Sequence, residues 1–324
     1  MAKSSIGWGL IGSTSWSDHT FGPAISAAKG GHIAAVFSSK RASASAFCAK
    51  HKVPNGYTDL DDFLADSAID VVWVAGPTDL HYEQTIAALE AGKHVLCEKP
   101  MAVSAADCAK MVKAAEKARR ILGLGYNNRH HPIFQAVQKD WVKGKFGTPI
   151  YARAHVVYPS PDTKIGWRGF PKRGGGWALG NIGTHLIDLV RMYMGDVTDA
   201  TGHLSSHAWG LKVDDFSEVS MAFKNGASAT ITAGMGRVDA GPSRLELFGT
   251  KGWCIFEGAV FGAAGTTTTS INKETPRTRK LAAVNTYKNQ VAAFNQAVAG
   301  KGRFMATGQD GLANVKVMEQ ARGW

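Results

Sequence analysis

Three short stretches of this chain carry residues whose types and spacing can do chemistry. In the first, an apolar run, Ile6–Ile11, turns at Gly12 into Ser13-Thr14-Ser15-Trp16-Ser17, and Phe21, Ala24, Ile25 and Ala28 then follow at helical spacing. A glycine at such a turn lets backbone approach an anion seated at a helix N-terminus, as a dinucleotide pyrophosphate is. Counted from Gly12, a G-x-G-x-x-G pattern has Thr14 and Ser17 in its second and third glycine places. Two readings stand: a dinucleotide turn in which Gly12, Ser13, Thr14 and Ser15 meet phosphate, or an ordinary strand-to-helix turn.

The second stretch, Ser38-Ser39-Lys40-Arg41, follows the apolar run His32–Phe37. An NAD site places an acidic side chain about 20 residues beyond the turn, on the ribose 2′-hydroxyl. No Asp or Glu occurs here between Asp18 and Asp59. Two hydroxyls and two cations stand where a 2′-phosphate would lie, which favours NADP and leaves NAD open; the alternative is a solvated helix start. In the third stretch Asn181 and His185 are four apart on a predicted helix, hence on one face. An imidazole titrates near neutrality and suits proton transfer. Asp188, three residues on, is either its partner or a plain helix residue. His203 and His207 have no acidic or thiol ligand nearby and read as strand-surface residues, so no metal is expected.

The elements that must position these residues fall into two patterns. Apolar runs at Ile6–Ile11, His32–Phe37, Val71–Ala75, Val95–Cys97 and Ile121–Leu124 alternate with helical segments at Arg41–His51, His81–Ala91 and Ala105–Arg119. Strands separated by helices imply right-handed crossovers and a parallel, doubly wound sheet, ending near Gly125. Beyond it come helices at Ile133–Trp141 and about 182–194 and a strand at Tyr151–Tyr158. Alternating strands then flank Asn225-Gly226, a strong hairpin signal, and a second hairpin joins Leu245–Phe248 to Cys254–Phe256. The Thr-rich segment 265–280 reads as an exposed hairpin or loop. The expected architecture is an α/β Rossmann domain over residues 1–125 and an α+β domain, built on an open, mostly antiparallel sheet, over 126–324.

Composition agrees with a two-domain enzyme: 324 residues, 44% hydrophobic and 19% charged. No run approaches the roughly 20 apolar residues of a membrane helix, and the N-terminus lacks a signal-peptide pattern, so a cytoplasmic location is expected. The formal charge of +11 comes from 37 Lys+Arg against 26 Asp+Glu, spread along the chain with no basic tail. That argues against nucleic acid and suits an anionic small molecule. Four scattered cysteines without a CxxC pair read as reduced, buried thiols.

The segments Ala75-Gly76-Pro77-Thr78-Asp79-Leu80-His81 and Ala91-Gly92-Lys93-His94-Val95-Leu96-Cys97-Glu98-Lys99-Pro100 closely resemble the Gfo/Idh/MocA family of oxidoreductases. The resemblance continues through Gly125–Arg129, Gly174-Gly175-Gly176 with Gly183 and His185, Gly249–Gly252 and Gly308–Leu312. It implies cofactor contacts from Pro77, Thr78, His81, Glu98 and Lys99, a cis bond at Lys99–Pro100, and no metal. It also implies hydride transfer between nicotinamide and a sugar carbon, with Lys99 and His185 handling the proton and a developing alkoxide. The family pattern Asp-x-x-x-His has Asn181 here in place of the Asp, which adds no negative charge beside His185. Gly166-Trp167-Arg168 is similar to the anhydrofructose-reductase branch, which reduces a sugar ketone with NADPH. By that likeness Trp167 and Arg168 line the sugar site, with Asn127, Asn128, Arg129 and Tyr158 as weaker candidates. The family also implies a homodimer or homotetramer formed through the second sheet, while the likeness to the anhydrofructose-reductase branch leaves a monomer open. Two rival functions are a non-catalytic dinucleotide sensor, an idea fed by Asn181, and an NAD-dependent inositol or aldose dehydrogenase.

Overall fold

A computed structural model describes residues 5–160, 165–237 and 240–323, and contacts divide the chain into two compact units. The first contains six parallel strands: β1 (Ile6–Ile11), β2 (Gly31–Phe37), β3 (Asn55–Tyr57), β4 (Val71–Val74), β5 (His94–Cys97) and β6 (Leu122–Leu124). They lie in the order β3-β2-β1-β4-β5-β6. Every residue of β1 and β4 is buried, which is why these strands read as continuous apolar runs. Phe21, from the segment after β1, stacks on Trp73 of β4 at 3.9 Å between ring centroids.

The first unit extends beyond the break near residue 125. Residues Asn285–Leu312 belong to it, rather than to the second unit where the sequence reading put them. The helix Thr286–Val298 buries Val291 and Phe294 and brings Phe294 within 5.5 Å of the Trp8 ring. Asn295 Oδ1 accepts a hydrogen bond from Trp8 Nε1 at 2.9 Å, and Asn295 Nδ2 donates to Lys29 O. The partners Trp8 and Asn295 are 287 positions apart, a pairing no local pattern announces.

The second unit is built on β7 (Pro149–Pro159), β8 (Val197–Ser205), β9 (Phe216–Phe223), β10 (Ser228–Gly236), β11 (Arg244–Gly249), β12 (Gly252–Glu257), β13 (Gly265–Ile271) and β14 (Arg277–Leu281). Their order is β14-β13-β12-β11-β7-β10-β9-β8; β7 and β10 run parallel and the other neighbours antiparallel. The Asn225-Gly226 hairpin joins β9 to β10, with Gly226 N bonded to Phe223 O, and Thr250-Lys251 joins β11 to β12. One face of this sheet packs under the helices Pro132–Val142 and Thr184–Met194. Phe134 meets Phe256 edge-on, and the Tyr193 hydroxyl donates to Phe134 O. All four cysteines are free thiols, and Cys97, Cys108 and Cys254 are buried. No helix among the described residues is long and apolar enough to cross a membrane.

Candidate functional site

In a doubly wound sheet the segments that follow adjacent parallel strands gather at the carboxyl edge, around the point where strand order reverses. Here that point lies between β1 and β4. Gly12–Ser15 follow β1, Ser38–Arg41 follow β2, Pro77–His81 follow β4, and Glu98–Lys99 follow β5. The four groups of cofactor candidates thus leave four neighbouring strands at one edge.

Gly12 has φ +106°, outside the range that side chains favour, and its N–H donates to Phe37 O at 2.9 Å. The Thr14 and Ser17 hydroxyls lie 3.0 Å apart, and Ser17 Oγ donates to Gly12 O. Ser17, fully buried, thereby closes the turn by hydrogen bonds where a third glycine would stand. Ser13 is half-buried, and Thr14 and Ser15 are exposed. A single π turn, Ser17–Phe21, opens the following helical segment. After β2, Ser38 is half-buried and Ser39, Lys40 and Arg41 are exposed. The helix Arg41–His51 starts with no side-chain cap and no acidic residue in its first turn, an end whose dipole favours an anion, although Ser43 N already donates to Lys40 O.

Pro77 precedes the helix Thr78–Glu90. Thr78 is 1% exposed and its Oγ1 has no hydrogen-bond partner among the described residues. His81 is buried, with Nδ1 2.9 Å from Pro100 O and Nε2 3.0 Å from Gly76 O. Burial holds its pKa below the usual histidine value, so the neutral ring donates to one of these carbonyls at a time. With both nitrogens facing protein backbone, His81 ties the loop after β4 to the loop after β5. The Lys99–Pro100 bond is cis. Glu98 is buried and its carboxylate lies over Gly125, 2.9 Å from where a Cβ would stand, so any larger residue there displaces the carboxylate. Lys99 is half-buried. Asn127 is fully buried; its Nδ2 donates to Thr286 Oγ1 at 2.7 Å and its Oδ1 has no partner among the described residues.

In the second unit a single π turn, Leu179–Gly183, carries Asn181, and His185 lies in the first turn of the helix Thr184–Met194 that continues it. π turns are rare and favour functional sites. His185 is 4% exposed, and the Phe261 ring meets its imidazole edge-on at 4.8 Å. Asp188 takes a fork from Arg129, whose Nε lies 2.9 Å from Oδ2 and Nη2 2.8 Å from Oδ1. Asn314 Nδ2 adds a third donor at 3.0 Å. Arg129 is 7% exposed, so this guanidinium is committed to a buried ion pair within its own unit. Tyr158 is 42% exposed, 6.0 Å from Phe261. Trp167 and Arg168 are half-buried, with the Arg168 guanidinium over the indole at 4.4 Å.

Two residues that sequence reasoning did not single out shape this unit. Asp214 accepts from Trp177 N at 3.0 Å, Leu179 N at 2.6 Å and Ser217 Oγ at 2.7 Å, clasping the segment that leads to His185. Burial raises its pKa despite those donors. Phe261 lies 76 positions from His185, in a left-handed backbone conformation (φ 63°). Neither has a motif that could have revealed it.

Residues 6–126 match the oxidoreductase family with an NAD-binding Rossmann fold, and residues 134–255 match the GFO/IDH/MocA C-terminal domain. The chain is 32% identical to 1,5-anhydro-D-fructose reductase of Ensifer adhaerens over 94% of its own length and 92% of the relative's. A solved structure of levoglucosan dehydrogenase with NADH and levoglucosan superposes with a TM-score of 0.88 at 22% identity, covering 98% of this chain and 96% of that one. The 3-ketoreductase KijD10 of Actinomadura kijaniata, solved with NADP and TDP-benzene, superposes at 0.84 with 22% identity, covering 98% and 97%. From the parallel sheet to the Glu98-Lys99-Pro100 loop and the mostly antiparallel second sheet, the chain belongs to the Gfo/Idh/MocA family of oxidoreductases.

Proposed function

We propose that this protein transfers a hydride between NADP(H) and a sugar or sugar-derived keto or hydroxyl compound. The observation that carries the reading is the convergence of four candidate loops on the carboxyl edge of the first sheet, with Lys99 in the last of them. The residues fit a dinucleotide: Gly12 opens the turn, the helix after β2 is uncapped, and Thr78 Oγ1 is buried and unpartnered. In this reading Gly12, Ser13, Thr14 and Ser15 hold the pyrophosphate, and Ser38, Ser39, Lys40 and Arg41 hold the adenosine 2′-phosphate. Pro77, Thr78 and Glu98 border the nicotinamide end, and His81 fixes the two loops there. When bound, the nicotinamide supplies the hydride donor or acceptor at its C4.

The chain's own residues do the rest. Lys99 donates a charge-assisted hydrogen bond to the reacting oxygen and stabilises its developing negative charge. His185 gives up or takes the hydroxyl proton. Asn181, an amide, orients without adding charge. Tyr158, Trp167 and Arg168 bind the sugar, Asn127 assists near the cofactor loops, and Arg129 acts chiefly by anchoring the His185 helix through Asp188. A homodimer or homotetramer through the second sheet belongs to the same reading. The sugar class is supported by the resemblance to the anhydrofructose reductase. NADP is preferred on the residues after β2, while the structural neighbours include one protein bound to NADH and one bound to NADP.

The test follows nicotinamide absorbance with NADPH or NADP⁺, and separately NADH or NAD⁺, across ketosugars, aldoses, inositols and sugar acids. Turnover of a sugar that is faster with the phosphorylated cofactor is the expected result. Lys99→Ala abolishes that turnover while nucleotide binding persists. A fully active Lys99→Ala, or no turnover across the panel, refutes the reading.

A further inference from the structure

We propose that Phe261 is a positioning residue for His185, a role that rests on His185 handling the substrate proton. A bulky side chain at positive φ is held only where its surroundings over-determine it, and such positions cluster at active sites. Phe261 is such a residue, at φ 63° and ψ 20°. Its backbone N–H donates to Asn128 Oδ1 at 2.7 Å, and Asn128 is 1% exposed, so the anchor is itself buried. On either side Val260 and Gly262 are buried, and Val284 N bonds to Gly262 O at 2.8 Å. The conformation aims the ring at the imidazole, 4.8 Å away with the planes at 87°. Tyr158 stands 6.0 Å from Phe261.

An edge-on aromatic contact depends on ring angle, so turning the imidazole about its last torsion breaks it. Phe261 therefore fixes the plane of His185, and with it the direction in which a ring nitrogen exchanges a proton. Asn128 acts one step further back, through the backbone of Phe261.

The experiment compares Phe261→Gly, Phe261→Asn and Phe261→Tyr with the full chain and with His185→Asn. Gly and Asn tolerate the left-handed conformation and keep the backbone donor to Asn128, so the loop persists while the ring is lost. With the sugar and cofactor that the unaltered protein turns over, kcat falls about tenfold to a hundredfold in the Gly and Asn variants, with KM unchanged. Phe261→Tyr restores kcat. The His185 imidazole ¹⁵N–¹H resonances, assigned by their loss in His185→Asn, shift or broaden in Phe261→Gly, a readout that needs no turnover. The proposal is overturned by an unchanged kcat, by a rise in KM alone, by a Tyr variant as poor as Gly, or by loss of the fold in both Gly and Asn variants. A fully active His185→Asn, by contrast, sinks the reading of His185 itself and leaves the resonance test of the contact standing.

Discussion

Replacing Asp188 by Leu removes the carboxylate that pairs with the Arg129 guanidinium in the second unit. Asp188 is 1% exposed and Arg129 7% exposed, and three side-chain N–H groups converge on the carboxylate: Arg129 Nε at 2.9 Å, Arg129 Nη2 at 2.8 Å and Asn314 Nδ2 at 3.0 Å. Removing one member of a buried pair costs about 3–5 kcal/mol, because the other charge is left in a low-dielectric interior. Against a total stability of roughly 5–15 kcal/mol, that is about a fifth or more of what holds a domain folded. Arg129→Met alone costs similarly, since the buried carboxylate loses its forked cationic partner. The double variant Arg129→Met/Asp188→Leu returns to within about 1–2 kcal/mol of the original, its residual being the acceptor Asn314 loses. Urea unfolding followed by tryptophan fluorescence in all four proteins gives the coupling directly. Additive single losses would refute the argument that the pair is one buried unit. A double variant that folds normally but loses affinity for its sugar would return Arg129 to the substrate-contacting role expected from sequence.

Two further outcomes follow from the nucleotide edge and from buried imidazoles. Lys40→Ala/Arg41→Ala weakens NADPH binding by about tenfold or more and leaves NADH binding unchanged, measured by fluorescence titration; equal losses for both would place these cations outside the phosphate's reach. Burial pushes the pKa of His130 down to about 3 and that of His94 to about 4. An unfolded histidine titrates near 6.5, so the unfolded chain takes up these protons first as pH falls. Stability present above about pH 6.5 is therefore lost progressively towards pH 4 and then 3, His130 alone accounting for roughly 2 kcal/mol between pH 7 and 5. Thermal unfolding at the two pH values checks this, and a His130→Gln protein as acid-sensitive as the original would show that His130 is not the cause.

What could be read from sequence was whatever is written locally. β1 and β4 are buried on both faces and so appear as unbroken apolar runs, and the Asn225-Gly226 turn declares its own hairpin. The loops that carry Gly12, Lys40, Pro77 and Lys99 were legible because each sits at the end of such a run. β3 escaped because its three residues, Asn-Gly-Tyr, contain no apolar run at all, and β8 because only one of its nine residues is buried. The helix Thr286–Val298 was hidden by the polar residues it buries, Gln290 and Asn295, which break the expected stripe. In the candidate site, His185 was marked by its motif, but what surrounds it was not. The Arg129–Asp188 pair spans 59 positions, and Phe261 approaches from a loop after β12. Contacts of that separation arise from topology, which a single chain does not spell out.

The return of residues 285–312 to the first unit has a consequence for how the protein is made. The six strands of the first sheet have all been synthesised once Leu124 is in place, yet the ring of Trp8 still lacks Phe294 and Asn295. At about 5–20 residues per second, roughly 10–35 s pass before the ribosome delivers them. Through that interval the amino-terminal sheet waits with an indole and its N–H uncovered, while the whole second sheet is being threaded out behind it. The first unit is completed only after the second sheet has been made.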